Sequence, residues 1–251
     1  MINSVKPNLI VSDSRGAWFR ATILFILALI GTVGMWSVVV FIPDIEKEFG
    51  LDRGTSSLLY AFTMIGFGFG TVIIGKFYDK FGIKKPILLA TFVLITSYYF
   101  YSIFPFYWQF LILQFFMGFA ASAFFGPAMA DISNFFNKQR GFALSIVASA
   151  NYVAGATWPL LIGYFLTFID WRAAHFWISI CLFIMIPLIL LLKNASVDES
   201  KSHDMKQRYK DIRLDLSNNQ IQVLLMLAGI CCCVAMAMPQ VHMVALCVDN
   251  G

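Results

Sequence analysis

The sequence predicts an all-α membrane protein, and three observations carry that expectation. Charged residues make up only 13% of the 251, apolar residues 59%, and the mean hydropathy is +0.76. A soluble domain carries about 25% charge and about 45–50% apolar residues, so too few polar side chains are present here to cover a globule. The apolar residues also fall into long charge-free runs, and the cations crowd into alternate connections between them. A water-soluble enzyme and a disordered chain are both excluded.

Seven runs free of Asp, Glu, Lys and Arg follow one another at 21–43, 56–75, 86–104, 106–130, 141–169, 173–192 and 219–247. A hydrocarbon core about 30 Å thick takes about 20 helical residues, which these runs supply. Barrel strands would show segments of about ten with alternating polarity, and the runs do not. The first run follows a mostly polar stretch and is too long for a signal-peptide core, so it reads as a span. The second, fourth and fifth runs are rich in small residues (Gly66, Gly68, Gly70; Gly118, Ala120, Ala121, Ser122, Ala123, Gly126; Ala143, Ser145, Ala148, Ser149, Ala154, Gly155, Ala156). Small residues let helix backbones approach where lipid offers no hydrophobic drive to associate. Pro127, Pro159, Pro187 and Pro239 lie inside runs and read as kinks.

The connections fix an expected orientation. With the N-terminus in the cytoplasm, 15 of the 18 Lys and Arg residues fall on that side, leaving Lys47, Arg53 and Arg172 outside. Most connections are short, which makes successive helices antiparallel neighbours. The exception is 193–218, with six basic and five acidic residues, and it divides the chain into a six-helix region 1–192, a cytoplasmic linker 193–218 and a further helix 219–251. Because the cations are spread between spans and form no single patch, the net charge of +4 does not point to nucleic acid.

The runs lack catalytic and metal-binding patterns. No HExxH, GxSxG or Walker loop occurs, and no carboxylates are paired at helical spacing. The five cysteines lie in apolar stretches, so they read as small hydrophobes and not as disulfides or zinc ligands. An enzyme is not expected, nor is a cofactor or metal site. A charge in the bilayer costs at least about 2.5–3.5 kcal/mol, and the runs carry none, so no buried charge pair is expected within them.

Candidates for polar contact at depth are Gln114, Asn151 with Tyr152, and Gln240 with His242 after Pro239. Each could bond a polar substrate or merely a neighbouring helix. Trp36 and Trp158 are aromatic lining candidates, and His175, beside Trp171 and Trp177, reads as an anchor at the membrane interface. His242 and Asp249, seven apart, share one helical face near the outer end.

The connection after the second run reads Gly75-Lys-Phe-Tyr-Asp79-Lys80-Phe-Gly82-Ile-Lys84-Lys85. Gly75 would let the helix end pack closely, Gly82 would permit a tight reversal, and Asp79 could cap a helix or pair with a neighbouring cation. The pattern G-x-x-x-D-[RK]-x-G-x-[RK] resembles the signature of the major facilitator superfamily, departing from it at Ile83. Phe135-Phe136-Asn137-Lys138-Gln139-Arg140-Gly141-Phe142-Ala143, Asp170-Trp171-Arg172-Ala173-Ala174, and His242 with Asp249-Asn250-Gly251 resemble its monocarboxylate and oxalate/formate branch.

That resemblance implies the N-terminal six-helix half of a facilitator fold plus one helix of the second half, in a chain that looks truncated. It implies a plasma-membrane carrier of a small organic anion, a mono- or dicarboxylate, working by alternating access with proton symport or exchange. Gly75, Asp79, Lys80, Gly82, Lys84 and Arg140 would then belong to a cytoplasmic gate, and Arg172 and Asp249 to the outer end. A retinal receptor would need a lysine in the last helix, and 214–251 has none; a haem subunit would need paired histidines within spans. A seven-helix receptor of another kind, or a structural module that transports nothing, remains as the alternative.

Overall fold

A computed structural model describes residues 13–192 together with Ser217, Gln220, Ile221, Val223, Leu224, Leu227, Ala228 and Cys231. The chain divides into two compact units, Met1–Ser196 and Val197–Gly251. In the second unit the described residues from Gln220 onward are helical. Their helix opens on a reciprocal cap: the Ser217 N–H donates to Gln220 Oε1 (2.8 Å) and the Gln220 N–H to Ser217 Oγ (3.3 Å). Gln240, His242 and Asp249 lie outside the described residues, as does most of the seventh run.

The first unit is all helix, with no strand among the described residues. Six segments are long and apolar enough to cross a membrane: Arg15–Phe49, Arg53–Phe81, Lys84–Ile103, Tyr107–Phe135, Arg140–Leu166 and Trp171–Leu191. We refer to them as the first to sixth spans. Most overrun the charge-free runs, because hydropathy marks the hydrocarbon slab whereas a helix continues into polar sequence until something caps it.

The caps are specific. Ser14 Oγ accepts the Ala17 N–H at 3.3 Å to start the first span. Asp52 accepts the N–H groups of Gly54 and Thr55 to start the second, and Asp170 accepts that of Arg172 to start the sixth. The second span ends at Gly82, whose φ of 72° and ψ of −177° are essentially closed to any residue with a Cβ.

Three spans are segmented. The first breaks between the helices Arg15–Gly31 and Val33–Phe49, with Thr32 out of helical conformation. The fourth runs Tyr107–Ala121, tightens into a 3₁₀ turn Ser122–Phe124, and resumes as Gly126–Phe135 with Pro127 at its start. The sixth has a similar turn at Leu182–Ile184 ahead of Pro187. By contrast, Pro159 sits in an uninterrupted helix, and Pro43 interrupts nothing either.

The second and fourth spans cross backbone to backbone. A Cβ on Gly118 would fall on the Thr63 carbonyl, one on Gly66 on the Phe115 carbonyl, and one on Gly70 against Ser122 and Phe119. Gly68 faces open space and plays no part in the crossing. Gly75, expected to pack closely, also has nothing near the position of a Cβ.

Candidate functional site

The breaks in the first and fourth spans meet. Gly31 packs directly on the Phe124 ring, so a side chain there would occupy the ring's own volume. Thr32 turns its Oγ1 back to the Ala28 carbonyl at 2.8 Å, competing with the helical ladder just where the helix stops. Phe125 (φ −107°, ψ −76°) leaves helical geometry on the fourth span.

The fifth span lies alongside this region and presents Asn151, Gly155 and Trp158, at spacings of four and three, on one face. Trp158 donates its indole N–H to the Leu29 carbonyl at 2.8 Å. Leu29 is in the last turn before the break, where carbonyls lose their helical partners, so the indole satisfies a group that the break sets free. Trp36 donates its indole N–H to Asn151 Oδ1 at 3.2 Å, with its ring lying over Gly155. Tyr152, next to Asn151, is 58% exposed. Trp36, Asn151 and Trp158 are therefore gathered in one place, whereas Tyr152 adjoins them only along the helix.

Gln114 does not join them. It is 1% exposed, accepts from Thr63 Oγ1 at 2.9 Å and donates to Tyr101 Oη at 3.4 Å, so it ties the second, third and fourth spans together. The amide thus spends one acceptor site and one donor on neighbouring helices.

At the end of the bundle where the first span begins, Arg20 and Asp131 form a buried two-point ion pair, Nε to Oδ2 at 2.6 Å and Nη2 to Oδ1 at 2.9 Å. The Arg20 guanidinium also lies 4.6 Å over the Phe135 ring. This corrects two expectations: Arg20 is not a loop cation, and the spans are not free of buried charge. Each residue flanks a charge-free run by one position, so a search confined to the runs misses both. Beside the pair, the Asp13 carboxylate accepts the backbone N–H groups of Asn137, Lys138 and Gln139, between 3.1 and 3.4 Å. Desolvation raises the Asp13 pKa, and the N–H donors outweigh that, holding it below the usual carboxylate value.

The loop motif lies at this same end. Asp79, Lys80 and Gly82 are exposed, Gly75 and Lys84 half-buried, and Asp79 caps no helix among the described residues. Lys80 and Lys85 hold their ammonium groups over the Phe81 ring at 5.3 and 4.6 Å. Arg140 is the first residue of the fifth span and is half-buried.

At the opposite end, Arg172 pairs with Glu48 at 2.6 Å and donates to the Phe104 carbonyl at 2.7 Å, while the Trp171 indole N–H reaches the same Glu48 carboxylate at 2.8 Å. One arginine thus ties the ends of the first, third and sixth spans. His175, expected at the interface, is instead buried at 1% exposure. Its ring stacks on Tyr101 (4.3 Å, 3°) and lies 4.0 Å from Phe41, and Nδ1 meets the Trp171 carbonyl at 2.8 Å. Among the described residues its Nε2 has no partner. No group of three His, Cys, Asp or Glu side chains among the described residues is arranged to hold a metal ion.

The family model described as Major Facilitator Superfamily matches residues 24–247. The chain belongs to that superfamily. Facilitator relatives include the MFS-type transporter pynF of Aspergillus niger, 28% identical over 58% of this chain and 34% of its own length. The agnestins efflux protein AgnL12 of Paecilomyces divaricatus is 27% identical over 60% of this chain and 35% of its own. The inner membrane transport protein YnfM of Escherichia coli is 23% identical over 67% and 41%. The chain thus spans well under half the length of these facilitators. Carriers of this superfamily are generally non-enzymatic membrane transporters.

Proposed function

We propose that the protein is part of a secondary carrier that moves a small organic anion, a mono- or dicarboxylate, by alternating access with proton symport or exchange. The observation that carries this reading is the meeting of two segmented spans at Gly31 and Phe124, beside the group Trp36, Asn151 and Trp158. Carriers place their sites near the bilayer midplane where helices are interrupted, because interrupted backbone is tolerated only against protein or a watery cavity. The wall formed by those three residues carries no charge, so it would contribute hydrogen bonds and flat apolar surface, and the counter-charge for the anion would come from elsewhere in the carrier.

In this reading 1–192 is the six-helix half, 193–218 a cytoplasmic linker and 219–251 the first helix of a second half. Asp79 and Lys80, exposed at one end, form the cytoplasmic gate with Arg140; Arg172 braces the outer end. His242 and Gln240 are carried as path residues, and Asp249 as an outer one. The protein sits in the plasma membrane.

The test is uptake by the carrier that contains this chain, reconstituted in liposomes, using radiolabelled formate, oxalate, lactate and benzoate with and without an inward proton gradient. Saturable uptake of at least one acid is expected, with Asp79→Asn lowering uptake several-fold at an unchanged amount of inserted protein. Folded protein that moves none of the four supports the structural module instead.

A further inference from the structure

We infer that Trp36 is a positioning residue that fixes which way the Asn151 amide is turned, so that its NH₂ group is left to donate to a substrate oxygen. The inference rests on the carrier reading above and deepens it.

An indole Nε1–H can only donate. The atom of Asn151 that meets it at 3.2 Å must therefore be the amide oxygen, which settles an assignment that amide shape alone leaves ambiguous. With the oxygen turned to the indole, the NH₂ is the group of this side chain that is left unbonded. It makes no hydrogen bond among the described residues, yet Asn151 is the twelfth residue of the 27 in the fifth span. At 1.5 Å per residue that is ~16 Å along the helix, near the middle of a bilayer core about 30 Å thick. An amide N–H pair facing hydrocarbon there would cost several kcal/mol, so the group belongs against a polar space.

The locking geometry depends on one further residue. A Cβ on Gly155 would stand 2.9 Å from Trp36 Cζ2 and 3.0 Å from Cε2 and Cη2, so the indole reaches Asn151 only because this position is glycine. Trp158, a turn beyond, is held by its own bond to Leu29 and leaves the amide alone. Two unused donors suit a carboxylate or carbonyl oxygen, and the neighbouring ring of Trp36 suits a flat apolar body behind it.

Two measurements on the full chain in nanodiscs test this. The first needs no ligand: the indole ¹H–¹⁵N signal of Trp36, assigned by its loss in Trp36→Phe, is followed in other variants. It is expected to move upfield in Asn151→Ala and in Gly155→Ala, and a signal that stays in place in both overturns the lock. The second is binding of radiolabelled benzoate, with unlabelled benzamide and benzylammonium as competitors. Asn151→Asp is expected to weaken benzoate at least tenfold, since carboxylate then faces carboxylate. Trp36→Phe is expected to weaken it about fivefold in the native background and to change nothing in Asn151→Ala, because a positioning residue matters only while its client is present. Equal losses in both backgrounds overturn the positioning role. If the native chain binds none of the three compounds while the indole signal shifts as expected, the organic-anion reading fails and the orienting bond stands.

Discussion

The Arg20–Asp131 pair makes the sharpest case for what one residue can decide. Both groups are buried, at 4% and 8% side-chain exposure, and the guanidinium is stacked over Phe135. Removing one partner of such a pair leaves an uncompensated charge, which costs about 3–5 kcal/mol, whereas replacing both with apolar groups of similar volume is often neutral. Asp131→Asn is therefore expected to lower the midpoint of thermal unfolding in detergent far more than the double variant Arg20→Met with Asp131→Leu. A double variant as unstable as the single one would show that packing around the pair, and not its charge balance, holds the two spans together. The pair was not legible in the sequence because its members lie just outside the apolar runs and 111 positions apart. His175 escaped for a related reason: a histidine flanked by Trp171 and Trp177 looks interfacial, and only the fold shows that Tyr101 and Phe41 close over it. The group around Asn151 was more legible, since a lone amide at mid-span is costly unless it is used. Which atom of it is used depended on Trp36, 115 residues away.

At the scale of elements, the spans themselves were readable because lipid imposes one rule, a long and predominantly apolar helix, and the chain obeys it six times in the described residues. Their breaks were only half readable. Pro127 marks the one in the fourth span, but the first span breaks without a proline, through Gly31 seated on Phe124 and Thr32 bonded back to Ala28. Pro159 marks no break at all. The glycines divide in the same way. All those of the second span look alike in sequence, yet Gly66 and Gly70 lie under carbonyls of the fourth while Gly68 looks into open space. Substituting Gly118 with Ala must push the Thr63 backbone away, and backbone cannot rotate aside as a side chain can. Overpacking typically costs about 1–3 kcal/mol, and this contact belongs at the upper end. Gly118→Ala is expected to reduce the monodisperse fraction in size-exclusion chromatography and to lower the thermal midpoint. Gly68→Ala, with no neighbour to disturb, is expected to leave both unchanged. A tolerant Gly118 would mean that the second and fourth spans slide apart freely.

The six-span unit as a whole is polar from end to end. Among the described residues, Arg15, Lys76, Lys80, Lys84, Lys85, Lys138 and Arg140 stand with Asp13 and Asp79 at the end where the first span begins, and Asp44, Glu46, Glu48, Asp52 and Asp170 gather at the other with Lys47, Arg53 and Arg172. Burial takes Arg20 out of the count, and Arg172 is already engaged by Glu48, but the bias survives both adjustments. A juxtamembrane cation is worth about 1 kcal/mol near an anionic leaflet, and nearby cations, far more than acids, set which end stays inside during insertion. The basic end is therefore expected to face the cytoplasm. In a variant lacking the native cysteines, Phe168→Cys at the acidic end should react with a membrane-impermeant maleimide on intact cells. Lys138→Cys at the basic end should react only after permeabilisation. The reverse pattern would invert the bundle, and it would put Asp79 and its neighbouring lysines at the outer mouth, where they could not serve as the cytoplasmic gate.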